Sequence, residues 1–389
     1  MKIRKTWMAA ALAAGLCGLP AHADVKIGFT GALSGPAAAL GQDQYDGFML
    51  AVEQLQGKLG GQPAVVIRED DQVKPEVALQ AVRKLIERDK VDALVGLGYT
   101  NVLMAMLPQI TQSGVVAIAT NSGPLALSGK GCQPNVFSLA WQSDGPAESM
   151  GVYATEQGFK KVYLMAPNYQ AGKEMLGGFK RFYKGEVVDE VYTPLNQADY
   201  SAEISQLQAS GAEAVFVFYP GGMGINFVKQ MRQAGLLGKL PVLSVFTVDG
   251  TTLPALQGMA EGVIAGAMWD AALDQPQSSR FKQAFQDKYK RVPSLYAAAG
   301  FDAANLLDKA IAGLDGKVSD KQAFAAAVKR AGAQFESVRG PLSFNVNNML
   351  IQNFYAFQAV KSDGGVAMKQ LGTPLTAHKD AYYTECALE

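Results

Sequence analysis

Short apolar runs and longer stretches of helical periodicity alternate along this chain. Val25–Thr30 (VKIGFT) reads as an opening strand, and Gly31–Gly41 (GALSGPAAALG) as a small-residue loop. A helix follows over Asp43–Leu55, with Tyr45, Phe48, Ala51, Val52 and Leu55 recurring on one side. Strands are predicted at Ala64–Arg68, Val91–Leu97 and Val115–Ala119, separated by helices at Pro75–Arg88 and 102–113. Each strand-to-helix junction is rich in Gly, Ser and Thr. Apolar strands that alternate with helices in this way indicate a parallel, doubly wound sheet, because the crossover helices cover both faces.

The pattern then restarts. Helices at Pro146–Gln157, Ala171–Tyr183, Tyr200–Ala209 and Asn226–Ala234 alternate with strands at Lys161–Ala166, Val187–Thr193, Ala214–Tyr219, Pro241–Val245 and Val263–Ala267. Two such runs predict two similar Rossmann-like lobes, a repeat of architecture without a residue-level repeat. Helices at Ser278–Tyr289, Tyr296–Ile311 and Asp320–Ala331 are too many for the second run alone, so the chain is expected to cross back. A hairpin-like end, Gly340–Phe344 and Gln352–Val360, closes it. Three crossings are expected, near 141–146, 268–274 and 340–350. They give one lobe of 24–143 plus 272–343 and another of 144–271 plus 344–389. Two open sheets aim their strand C-termini at a shared crevice, the usual place for a ligand.

The first residues carry a different signal. Lys2, Arg4 and Lys5 precede an apolar stretch, Trp7–Leu19, too short to span a bilayer, and Ala21-His22-Ala23 fits an export cleavage site. The mature chain is therefore expected to begin at Asp24. Leu16 stands before Cys17, where a lipoprotein would carry a small residue, so a soluble secreted product is expected. Of the 35 basic and 35 acidic residues, three basic ones lie in the leader, which leaves the mature chain slightly acidic. It has no basic stripe, which argues against a nucleic acid or an anionic membrane as partner.

The chemistry of the mature chain is sparse. His378 is its one histidine, which leaves no His-based triad or multi-His metal site. No G-x-S-x-G, C-x-x-C or P-loop pattern occurs, and no cofactor or metal is expected. Asp70-Asp71, the one tight carboxylate pair, follows a strand and is expected to end it or cap the next helix rather than serve as an acid/base couple. Only Cys132 and Cys386 outlast the leader, and in an exported chain a bridge between them is expected in preference to two free thiols.

The stretch VDALVGLGYTN, Val91–Asn101, holds the most specific local signal. A buried strand broken by Gly96 and Gly98 turns at Tyr99-Thr100-Asn101 into a helical pattern. Thr100 is a good N-cap type, and it either caps its own helix or presents its hydroxyl and the free amides of the first turn to a carboxylate.

Taken together, the start VKIGFTGALSGPAAALGQ, Asp70-Asp71, Val95-Gly96 with the Thr100 turn, PNYQAGKE at 167–174, Phe218-Tyr219 and RVPSLYAAAGFDA at 291–303 resemble a known family. It comprises the periplasmic solute-binding proteins of ABC importers for branched-chain amino acids and related small acids, with the type I periplasmic binding fold. The likeness spans essentially the whole mature chain. FTVDGTTLPAL (246–256) and the SLYAAAGFDA segment resemble a subgroup that binds aromatic and other carboxylate-bearing molecules. The resemblance implies that Thr100 and the Asn121-Ser122-Gly123 stretch hold the ligand carboxylate, that Tyr169 closes over its body, and that Tyr219 either supplies an opposing wall or is a core residue. Leu40 stands where the amino-acid binders carry an aromatic. Their ammonium-pairing acid, near the end of the strand at about 241–245, aligns with Val245 or a neighbour, and Asp249, the only nearby carboxylate, either fills that role or caps the next turn. The family's early disulfide is absent. Tyr99 and Thr247 complete the candidate lining. The resemblance implies a non-catalytic, monomeric periplasmic protein that hands a small carboxylate, aromatic in preference to a branched-chain amino acid, to an inner-membrane ABC permease. A ligand-sensing ectodomain would need a tether, and an exported enzyme would need a nucleophile and base.

Overall fold

The computed structural model describes residues 24–363 and 365–388; the leader and cleavage site expected over 1–23 lie outside them. The first half builds a six-stranded sheet. Its strands are β1 (Val25–Gly31), β2 (Lys58–Leu59), β3 (Gln62–Asp70), β4 (Ala93–Gly96), β5 (Val116–Ala119) and β6 (Val136–Ser138), in the order β2-β3-β1-β4-β5-β6. All pairs except the β2–β3 hairpin are parallel. The connecting helices are α1 (Ala38–Gln54), α2 (Pro75–Arg83), α3 (Thr100–Ser113) and the short α4 (Leu125–Ser128). The central strands β4 and β5, ALVG and VAIA, are buried throughout, as a sheet covered on both faces requires.

The second sheet begins after α5 (Gly145–Glu156), with β7 (Lys161–Pro167), α6 (Gln170–Phe182), β8 (Glu186–Thr193), α7 (Ser201–Ala209), β9 (Ala214–Phe218), α8 (Gly222–Gln233), β10 (Val242–Val245), α9 (Leu253–Leu256) and β11 (Ile264–Ala267). The chain then forms α10 (Pro276–Tyr289), α11 (Leu295–Ala312) and α12 (Lys321–Ala331) before β12 (Ser343–Phe344), β13 (Leu350–Ser362) and β14 (Gly365–His378). Strand order is β12-β13-β11-β10-β9-β7-β8, with β14 on β13. The strands β7 to β11 run parallel, whereas β13 and β14 are antiparallel additions. The late helices do return: α11 packs along α1. Gly47 and Gly300 make that approach possible, since a Cβ on either would lie 2.0 Å or less from the facing backbone. The expected α/β fold of two doubly wound parallel sheets is the one observed.

Several expected boundaries change. Helix α1 begins at Ala38, directly after a 3-10 turn at Gly35–Ala37, inside the stretch read as a loop. Pro36 opens that turn and the following alanines are strong helix formers. Helix α2 stops at Arg83 and continues as a π-helical turn, Lys84–Arg88. Strand β14 was not predicted at all. It is an edge strand with Gly372 and Pro374 in it and with bulges in its pairing to β13, so it lacks the alternation that marks a strand.

The Cys132–Cys386 disulfide is formed. It ties the tail beyond β14 to the loop before β6, and so links the ends of the two sheets.

Candidate ligand-binding site

The C-terminal ends of β4 and β5 face those of β7, β9 and β10 across a cleft. Its lining comes from both sides: Leu40, Tyr99, Thr100, Asn121 and Ser122 from the first half, and Tyr169, Phe218 and Phe246 from the second. Trp141 and Ser143 enter from the crossing segment before α5, and Tyr296 from the start of α11. The cleft is narrow, with a cavity of about 30 Å³. That is room for a water or two, so the two halves are drawn together. Farther out, Gly221 meets Leu40 and Pro36: an added Cβ there would stand 3.3 Å from each. Gly221 also has φ +61°, which a larger residue would resist.

On the first side, Gly96 ends β4 at φ +102°, where a Cβ would lie 2.0 Å from the Thr30 carbonyl oxygen. The chain then swings through Leu97 and Gly98 into α3. Tyr99, not Thr100, occupies the N-cap position, and no side chain caps this helix. Thr100 is therefore the first helical residue. Its hydroxyl is not spent on capping, and its N–H belongs to the turn that has no intrahelical acceptor. Ser122 behaves differently. Its Oγ donates to the Leu97 carbonyl at 2.7 Å, so its hydroxyl proton is already committed and its N–H is what it can offer. Gly123 does not line the cavity. A Cβ there would lie 1.8 Å from the Trp141 carbonyl oxygen, and the Gly123 carbonyl accepts from the Ser143 N–H at 2.8 Å. Its part is to let the crossing segment pass close enough for Trp141 and Ser143 to reach the cleft.

On the second side the rings form a continuous wall. Tyr169, at the N-cap position of α6, stacks on Phe218 with centroids 6.2 Å apart, and Phe218 meets Phe246 edge-on at 6.0 Å. Phe246 stacks on Trp141 at 4.5 Å and approaches Tyr296 at 6.4 Å. Phe246 sits at φ +56°, a costly conformation for a bulky residue and one that marks a locally imposed geometry.

Besides Gly123, three candidates for the lining are elsewhere. Tyr219 is a core residue: its Oη accepts from Thr193 Oγ1 at 3.3 Å, and its ring packs against Tyr200 and Phe227. Thr247 Oγ1 accepts from the Tyr219 N–H at 2.9 Å and donates to the Val245 carbonyl, tying two strand ends together. Asp249 caps its own turn. Oδ1 accepts from the Thr251 N–H and hydroxyl at 2.7 and 2.6 Å, and Oδ2 accepts from Tyr296 Oη at 3.2 Å. Burial holds its carboxyl above the usual range. In two loops the lining residue is the immediate neighbour of the expected one: Phe218 for Tyr219, because successive side chains at a strand end point to opposite sides, and Phe246 for Thr247, where the left-handed backbone at Phe246 redirects the chain. Tyr296 and Ser143 escaped sequence reasoning. The only signal for Tyr296 was a lone ring in the Ala- and Gly-rich start of α11.

Among the described residues no Lys, Arg, His, Asp or Glu lines the cavity. The polar groups are hydroxyls, the Asn121 amide and main-chain N–H groups. Burial pushes the Tyr99, Tyr169 and Tyr296 phenols upward, so they remain neutral. Such a site can hold an anion by neutral donors at the ends of β4 and β5 while aromatic faces enclose an apolar body. Among the described residues no group of His, Cys, Asp and Glu is placed to hold a metal ion, and no helix is long and apolar enough to cross a membrane.

Comparison with known proteins agrees with this geometry. The chain is 28% identical over 361 residues to Leu/Ile/Val-binding protein homolog 6 of Brucella melitensis, covering 89% of this chain and 90% of that one. A solute-binding protein of an ABC transporter from R. palustris, solved with benzoate, superposes with a TM-score of 0.88 at 28% identity, covering 94% of this chain and all of the other. One from Rhodopseudomonas palustris BisB5, solved with 3,4-dihydroxybenzoic acid, gives 0.86 at 26% identity, covering 92% and 99%. The substrate-binding protein LivJ of Streptococcus pneumoniae, at 23% identity and a TM-score of 0.81 over 90% of this chain and all of that one, shares the fold. The family model for periplasmic binding proteins matches residues 24–365, and the chain belongs to that family, as a substrate-binding protein of the ABC-transporter type with the type I fold.

Proposed function

We propose that this protein captures a small aromatic carboxylate in the periplasm and presents it, closed between two lobes, to an inner-membrane ABC permease. One observation carries the choice of ligand: a cavity walled by Trp141, Phe218, Phe246 and three tyrosines has no carboxylate in its lining. The ammonium of an amino acid would lose its hydration there without gaining a counter-charge, a heavy cost in a buried site. A benzoate-type acid brings no such group. Its carboxylate goes to the Thr100 hydroxyl and to the N–H groups of Thr100 and Ser122, with Asn121 alongside, and its ring goes between Tyr169 and the Phe246–Trp141 stack.

The lobes of this reading are 24–143 plus 272–343 and 144–271 plus 344–389, hinged at the three crossings. Ligand enters when they part, meets the first lobe, and is enclosed as the second rotates onto it. The protein acts as a monomer without cofactor or catalysis, after removal of the leader at Ala23. Titration calorimetry with benzoate, 4-hydroxybenzoate and leucine tests the reading. Micromolar or tighter binding of the aromatic acids with leucine at least a hundredfold weaker is expected. Preferential binding of leucine overturns it, and so does conversion of a bound compound to product.

A further inference from the structure

Outside the cavity, the Glu174 carboxyl bridges the cleft. Glu174 lies on α6, one turn beyond Tyr169. Its Oε1 accepts from Gln170 Nε2 at 2.8 Å on its own helix and from the Leu125 N–H at 3.2 Å on the opposite side of the cleft. Its Oε2 is buried and has no well-aligned partner, although the Ser143 side chain approaches the carboxyl from the crossing segment. We infer that Glu174 is a positioning residue for ligand capture, the latch by which the second lobe fastens onto the first. This inference rests on the reading of the protein as one that encloses its ligand by lobe closure.

The surroundings determine which form of the latch closes. Among the described residues no cation pairs with Glu174. Helix α3, packed against α6, has no ionisable residue, and on the α5 side the nearest acid is Asp144. Asp144 and Glu148 both pair with Arg181, Asp144 also accepts from Tyr382 Oη, and Glu148 meets His378, so the one guanidinium nearby is already engaged. On its own helix the exposed Lys173 adjoins it, and Tyr169 faces it with a neutral phenol. Burial pushes the Glu174 carboxyl up to about 7, against an ordinary value of 4.5 once the lobes part and water reaches it. Closing therefore favours the protonated form. A protonated carboxyl can still accept from Leu125 with one oxygen and give the other a proton to donate toward Ser143. As pH rises from the open-state value to the closed-state value, that advantage is lost.

The test is benzoate affinity by calorimetry at pH 5.5 and 7.5, for the wild-type chain, Glu174→Gln and Glu174→Ala. Leucine serves as probe should it bind instead, since the latch lies outside the cavity and both ligands keep a constant charge over this range. Wild-type affinity is expected to weaken about ten- to thirtyfold between the two pH values. Glu174→Gln, which keeps the acceptor and cannot ionise, should bind at both pH values within threefold of the wild type at pH 5.5. Glu174→Ala should be weaker than Glu174→Gln at both. A flat wild-type profile, or a slope that survives in Glu174→Gln, overturns the latch with either ligand. Leucine binding in place of benzoate overturns the reading of the ligand and leaves the latch to be judged by the slope.

Discussion

Tyr296, at the start of a helix packed on the first sheet, donates its hydroxyl to Asp249 Oδ2 at the end of a turn on the second, at 3.2 Å. The bond gives the second oxygen of Asp249 its partner and turns the carboxyl away from the cavity. Removing the donor leaves a buried carboxylate oxygen without a partner. Tyr296→Phe should therefore lose about 1–3 kcal/mol of stability in chemical denaturation while retaining the ring that faces the ligand. Benzoate affinity should change less than fivefold. A loss of affinity without a loss of stability would place the hydroxyl on the ligand instead.

Thr100 gives the opposite separation. Its hydroxyl does not cap α3, so the fold does not depend on it. Thr100→Val should weaken aromatic acids by about 1–3 kcal/mol, with the melting temperature of the free protein within about 2 °C of wild type. Unchanged affinity by calorimetry would remove Thr100 from the carboxylate site.

The disulfide closes a loop across 254 positions of sequence. Its main effect is to restrict the unfolded chain, so the double variant Cys132→Ser/Cys386→Ser should lose about 2–5 kcal/mol. Thiol titration of the denatured, unreduced protein should find no free thiol, and two would refute the bridge.

Asp71 supplies a pH-dependent term. Its Oδ1 accepts from the Val73 N–H, its Oδ2 is buried without a partner, and burial pushes the carboxyl from 3.8 to about 6. The folded state then binds a proton more tightly than the unfolded state. That contribution is fully present below about pH 3.8 and is lost as pH rises to about 6, a change of about 2–3 kcal/mol. Asp71→Asn should be progressively favoured over wild type as pH rises through this window. Denaturation at pH 4 and pH 7 that shows the same difference at both would contradict it.

The alternation of strands and helices was readable because apolar periodicity and Gly, Ser and Thr punctuation agree at nearly every junction. The end of the chain was not, since β14 is an irregular edge strand whose regularity comes only from pairing with β13. The cavity lining follows the same division. Leu40, Tyr99, Thr100, Asn121, Ser122 and Tyr169 stand in or beside the junctions to which the doubly wound topology directs a ligand. Tyr219, Thr247 and Asp249 stand at such junctions too, yet they face inward to the core or to their own turns.

The amino-acid sequence alone determined the two-sheet plan and the crevice between strand ends, because each follows from local periodicity. The side on which Phe218 and Phe246 displace their neighbours, the capture of Asp249 by Tyr296 and the placing of Glu174 against Leu125 were decided by tertiary structure. Each depends on the direction of a side chain relative to an element distant in sequence, and no local pattern encodes that direction.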